Sequence, residues 1–396
     1  MTNRFTPFLA ILLACLFAAQ PVLAQTGVTV EQVGAEHDFG QQVVLRAKIQ
    51  SDRPVSQAQA FMRAEGEANT IIFEANVDED GNLLARHEIA DGRLRPFAEI
   101  AYWFRLFFDD GTSFDSPQSS FHYNDNRFAW QTLEDGNLRI HWYAGDLAFG
   151  QSALDAARNG VERASLLLST NLSQPVDIYI YADSTDLRAT IEASGQAWVG
   201  GHASPDLYLA LVSVAPGPEQ SLGMERKIPH ELAHILTYEV AGEHYGLLPL
   251  WLREGIATIS EIYPSPDYLR SLEYAVENES LLSFSTLCGD FPVDASSRFL
   301  AYAQSESFTR YLVDQYGISG LNRLIRAYAD GLGCEQGAQR ALGASLSELE
   351  YSWRAERLGE DRLGLAFKNL AGYILVFAVL LLLPLTPVLF SRKTDG

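Results

Sequence analysis

Between residues 29 and 123, apolar and polar positions alternate in short runs, the clearest being 43–49, 70–75 and 100–108. A period of two puts successive side chains on opposite faces of a strand, so these runs predict β-strands. Asp80-Gly81-Asn82 and Asp110-Gly111 fall between runs and supply residues that accept the positive φ of tight hairpins. After Asp125 the pattern changes. Residues 138–143 and 176–181 alternate as strands, while the Ala-rich stretch 148–169 between them has helical spacing. A further strand, a candidate sheet edge, is predicted at 207–212, after a loop at 200–205. From Ile228 onward nearly all of the chain reads as helix. No internal repeat and no low-complexity linker breaks the series.

These patterns predict an α+β chain. Short strands without a helix over residues 25–125 point to a β-sandwich, which resembles immunoglobulin or fibronectin type III modules and has a protein partner as one possible use. The strand, helix, strand order that follows predicts a mixed sheet with helices packed on it, in a second domain spanning 126–365.

The two ends have a different character. Residues 1–24 carry Arg4, an apolar stretch from Phe8 to Ala19, and small residues before a cut after Ala24, the pattern of a secretory signal. Leu13-Ala14-Cys15 only faintly resembles a lipoprotein cleavage site, because the apolar run continues past it. Residues 370–390 hold no charge, and at about 1.5 Å per residue they match a bilayer core of about 30 Å. They are predicted to form a single transmembrane helix. Arg392 and Lys393 in the tail 391–396 then face the cytoplasm, which leaves the body of the protein outside and tethered to the lipid bilayer. In that oxidising setting the two cysteines beyond the signal, Cys288 and Cys334, are expected to form a disulfide. With 29 basic against 50 acidic residues the formal charge is −21, and no Lys/Arg run exists, so nucleic acid is excluded as a partner.

Candidate chemistry is concentrated at His230-Glu231-Leu232-Ala233-His234. The helix predicted over 228–241 has Pro229 in its first turn and Gly242 at its end. Histidines four residues apart share a helical face, so both imidazoles can converge on one ion, and Glu231 can reach the ion's open position. That arrangement suits zinc-activated water with a carboxylate base. A catalytic zinc ion needs a third protein ligand. The next predicted helix offers Glu254, 20 positions beyond His234, and a short connection would set the two helices antiparallel with Glu254 opposite the histidines.

The pentapeptide together with Trp251-Leu252-Arg253-Glu254-Gly255-Ile256-Ala257 resembles the gluzincin metallopeptidases, which include thermolysin and the aminopeptidase N type. It is most similar to the group called peptidase MA-like, and the similarity extends through residues 301–312 to Leu349-Glu350 and Trp353-Arg354. The resemblance implies a peptide or protein substrate, Zn2+ held by His230, His234 and Glu254, and Glu231 as general base. It also implies a catalytic role for Tyr302, as the donor to the oxyanion; the ordinary alternative is an aromatic packed among Phe299, Phe308 and Tyr311. His202 is expected to be a surface or core-rim residue, and Glu261 is a weaker candidate for orienting a ligand imidazole. Aminopeptidase N relatives carry a Gly-x-Met-Glu-Asn stretch upstream of the zinc helix. Here only Glu219 and Glu225 occur between Gly195 and His230, in another context. A membrane-anchored endopeptidase is therefore the better expectation than an aminopeptidase. The alternative is a catalytically silent cell-surface binding or assembly protein that keeps the peptidase fold.

Overall fold

A computed structural model describes residues 27–91, 93–193 and 201–360. The expected signal segment 1–24, the apolar segment 370–390 and the tail 391–396 lie outside the described residues. Among the described residues no helix is long and apolar enough to cross a membrane. The described residues divide into two compact units, one within residues 1–92 and 99–122 and the other within residues 93–98 and 123–396.

The first unit is all β: β1 (Val28–Asp38), β2 (Gln42–Ser51), β3 (Val55–Ala64), β4 (Ile71–Val77), β5 (Asn82–Glu88), β6 (Glu99–Phe108), β7 (Ser113–Asp115) and β8 (Ser119–His122). The expected pair of packed sheets is not what these strands build. They form one antiparallel hydrogen-bonded series, β1-β2-β5-β4-β3-β6-β7, with β8 also on β6, in a half-barrel. The alternation that predicted strands also predicts which side is buried, since β6 buries Ile100, Tyr102, Phe104, Leu106 and Phe108 in strict alternation. It does not say whether the buried face meets a second sheet or the same sheet curling over itself, and a twisted sheet of this many strands can do the latter.

The second unit begins with β9 (Gln131–Asp135), β10 (Leu138–Trp142), α1 (Leu147–Leu168), β11 (Val176–Tyr181), α2 (Ser184–Ala193), β12 (Gly201–Ser204) and β13 (Leu209–Ser213). Its five-stranded sheet has the order β12-β13-β11-β10-β9. The central strands β10, β11 and β13 are parallel, and β9 and β12 are antiparallel edges. Two expectations change here. The loop predicted over 200–205 contains β12, and the strand predicted at 207–212 is not an edge, because β12 covers it.

The helices follow: α3 (Gln220–Ala241), α4 (Leu250–Ser260), α5 (Asp267–Glu277), α6 (Phe284–Leu287), α7 (Ala295–Ala329), α8 (Cys334–Leu342) and α9 (Leu346–Arg357). Helix α7 breaks at Gly317, whose φ of 67° lies in the left-handed region that glycine adopts without a Cβ clash. Helix α3 begins well before the predicted Ile228, so Pro229 sits inside it and not in its first turn. A mid-helix proline leaves the carbonyl four residues back, that of Glu225, without its helical partner. Space for the ring comes from α1: a Cβ at Gly160 would lie 2.9 Å from Pro229 Cα.

Helix α3 is buried on two sides. Ile228, Leu232 and Ile235 join a core with Ile140, Ile178 and Val212 of the sheet and Ala153 and Ala157 of α1. Ala233 and Leu236 join a second core built by the later helices around Trp251, Phe284, Phe308 and Trp353. A disulfide joins Cys288 to Cys334, as expected from the sequence.

Candidate metal centre

Two helical turns carry the candidate ligands. Residues four apart on α3 stack on one face, and the rings of His230 and His234 lie 5.1 Å apart, nearly perpendicular. Helix α4 presents Glu254 to both: its Oε2 is 3.4 Å from His230 Nε2 and 3.7 Å from His234 Nε2. The donor atoms of the three residues all lie within 4.8 Å of one another. Zinc bonds of about 2.0–2.1 Å in a tetrahedron put neighbouring donors about 3.3 Å apart, so the set fits such an ion with small adjustments. Two imidazoles and one carboxylate are also the donor types borderline-soft zinc takes.

Close packing holds α4 at this distance. A Cβ at Gly255 would lie 2.1 Å from Thr309 Oγ1 and 2.6 Å from the Ser305 carbonyl of α7, so only glycine lets the two backbones approach. Beneath α4, Trp251 is fully buried, with Phe308 at 5.1 Å and Phe284 edge-on at 5.4 Å.

The outer nitrogens of the histidines have different partners. His230 Nδ1 lies 3.1 Å from Glu261 Oε1, and Glu261 is buried at 3% exposure. The carboxylate ranked weaker in the sequence thus sits directly behind one ligand. His234 Nδ1 lies 2.9 Å from the Tyr245 hydroxyl. In the sequence the connection after Gly242 reads only as a short link. Tyr245 belongs to a 3-10 turn there, Gly242–Leu247, that folds back on α3.

Charge and burial set the protonation of the metal-free centre. Burial works to raise Glu254, but the facing His234 and His230 and the neighbouring Arg253 outweigh it and hold the carboxyl below its usual range. Burial works to lower His230, yet Glu254 and Glu261 raise it well above an ordinary imidazole. Burial dominates at His234 and takes it down to about 3, leaving a neutral ring. Glu231 is 6% exposed, and burial pushes its carboxyl up to about 7.

Tyr302, on α7, reaches the same place. Its ring is 6.4 Å from that of His230 and meets Phe291 edge-on at 5.3 Å. Burial raises its phenol well above the usual value, and Glu254 and Glu231 raise it further. His202 lies on the edge strand β12 itself, with Nε2 3.4 Å from Ser204 Oγ. Burial lowers it to about 4, assisted by Arg95, which forms a bidentate pair with Asp206 at 2.6 Å.

The family model of the Peptidase MA superfamily matches residues 156–358, just over half of the chain, and the protein belongs to that superfamily. The matched span holds His230, Glu231, His234, Glu254 and Tyr302. No curated protein matches the sequence. Among solved structures, a myokine structure is similar at 12% identity, covering 24% of this chain and 96% of its own, with a TM-score of 0.20. A carbohydrate-binding module of family 56 that binds β-1,3-glucan is similar at 16% identity, covering 24% of this chain and 98% of its own, with a TM-score of 0.17. A polysaccharide deacetylase from Bacillus cereus covers 50% of this chain and 65% of its own at 9% identity, with a TM-score of 0.19. Likeness at this level carries no functional meaning.

Proposed function

We propose that this protein is a zinc metallopeptidase of the gluzincin type that cleaves internal bonds of peptides or proteins. On this reading it works outside the cytoplasm, tethered to the bilayer by residues 370–390. The observation that supports it most is the convergence of His230 Nε2, His234 Nε2 and Glu254 Oε2 beside the buried carboxyl of Glu231. Membership of the Peptidase MA superfamily supports a hydrolytic role.

When bound by these three residues, zinc supplies Lewis acidity, which polarises the scissile carbonyl and acidifies the attacking water. Glu231 takes the proton of that water and returns it to the leaving nitrogen. Tyr302, beside His230, donates a hydrogen bond to the carbonyl oxygen as it gains charge. Absence of the Gly-x-Met-Glu-Asn stretch supports cleavage within chains over removal of amino-terminal residues.

The test uses the purified full-length chain in detergent, wild type beside Glu254→Ala. The wild type should carry about one zinc per chain and cleave amino-terminally blocked peptides from a broad library, and the variant should lose both. A folded wild type without zinc overturns the reading. Zinc without any cleavage makes the protein a binding protein on a peptidase scaffold.

A further inference from the structure

The two histidines of the centre are backed by groups of different chemistry. Behind His230 is a carboxylate, Glu261, which only accepts hydrogen bonds when ionised. It therefore keeps a proton on Nδ1 of His230 and assigns Nε2, which faces Glu254, to the ion. Behind His234 is the phenol of Tyr245, at 2.9 Å. A phenol both donates and accepts, so two proton arrangements are open to this pair. In one, the imidazole Nδ1–H donates to the phenol oxygen and Nε2 is free to bind a metal. In the other, the phenol donates to Nδ1, and Nε2 carries the proton and cannot bind.

The surroundings hold the phenol in place. The Arg253 guanidinium lies over the Tyr245 ring, 5.3 Å from its centroid, and Arg253 precedes the candidate ligand Glu254 in sequence. Tyr238 meets the same ring edge-on at 6.3 Å. The ring is thus packed by α3 and α4 together, and its hydroxyl is delivered to His234 by the turn between them.

We infer that Tyr245 is a positioning residue for His234: its phenol oxygen accepts the Nδ1–H of that imidazole and so presents Nε2 to the metal. The inference rests on the reading of His230, His234 and Glu254 as a zinc site. It makes His234 the ligand with two tautomers open to it, one of which is selected as the ion enters and the phenol hydrogen rotates away, whereas the outer proton of His230 is fixed by Glu261. An outer partner of this kind typically changes metal affinity by about 10- to 100-fold.

The experiment measures zinc affinity of the full-length protein by competition with a chromophoric chelator, for wild type, Tyr245→Phe and Tyr238→Phe. Tyr245→Phe should bind zinc about 10- to 100-fold more weakly, while its metal-free thermal midpoint stays close to that of wild type. Tyr238→Phe, which alters packing of the same ring without touching a ligand nitrogen, should keep wild-type affinity. Equal affinity of Tyr245→Phe and wild type overturns the inference and leaves the zinc reading standing. A wild type that binds no zinc overturns both. If Tyr245→Phe does not fold, 15N-histidine spectra of the zinc-loaded wild type decide: the His234 Nδ1 should be protonated and hydrogen-bonded, and a metal-bound Nδ1 overturns the inference.

Discussion

The backbone amide of Ile262 donates to the carbonyl of Glu225 across 2.9 Å. That carbonyl is available because Pro229, four residues on, has no N–H to occupy it. The bond fastens the chain just beyond α4 to α3, one residue from the Glu261 carboxylate that backs His230. Removing the donor should loosen that carboxylate without disturbing either helix. In Ile262→Pro, the φ of −55° and ψ of 134° at Glu261 already suit a residue that precedes proline. Zinc affinity should fall by about tenfold with the far-ultraviolet circular dichroism unchanged.

Glu231→Gln keeps the size of the side chain and removes the base. Loss of general base catalysis should lower the turnover of a blocked peptide by about 10²- to 10⁴-fold. Zinc content should stay at the wild-type level, because Glu231 is not among the converging donors. Peptide cleavage and metal analysis on the same preparation check both halves.

Gly255→Ala tests the contact between α4 and α7. The new Cβ meets the Ser305 carbonyl, which is backbone and cannot swing aside, so α4 must shift and carry Glu254 with it. Overpacking of this kind costs about 1–3 kcal/mol. The expected result is a lower denaturation midpoint together with weaker zinc binding. A variant that loses stability but keeps zinc affinity would mean that Glu254 does not depend on this contact.

His202 predicts a pH dependence. Its folded-state value of about 4 lies below the ordinary imidazole value of 6.5, so the unfolded chain binds the proton more readily. The stabilising contribution of the neutral ring is present above about pH 6.5 and is lost as pH falls toward 4, by up to about 3 kcal/mol. Denaturant unfolding at pH 7 and pH 4.5 should show this loss in the wild type. His202→Asn, with no group to titrate, should show a shallower fall.

Much of the centre is legible in the sequence because its chemistry is local. Two histidines four apart and a glutamate in the following helix fix both the ligand types and their faces. Strands β10 and β11 and helix α1 are equally legible, since each is amphipathic or fully apolar over its whole length. Helix α3 is read too short because Pro229 is a start signal in most helices, and only the packing at Gly160 and the outside partner of Glu225 explain its place mid-helix. Strand β12 has no apolar alternation of its own; pairing with β13 makes it a strand. Alternation also misleads for the first unit, where it marks the buried faces correctly but is silent on whether one sheet or two enclose them. Tyr245 is invisible for a similar reason, as its contact with His234 depends on how a glycine-bounded turn closes.

Cys288 belongs to the disulfide, and its carbonyl also accepts the amide of Leu250, the first residue of α4, at 3.4 Å. The helix that presents Glu254 therefore starts on a crosslinked loop. Closing a span of 46 residues is worth about 4 kcal/mol by chain entropy. A host that keeps thiols reduced will translate the correct chain and leave this latch open. Recombinant yield of metal-loaded protein should thus follow the oxidising power of the expression compartment more closely than the amount of zinc in the medium.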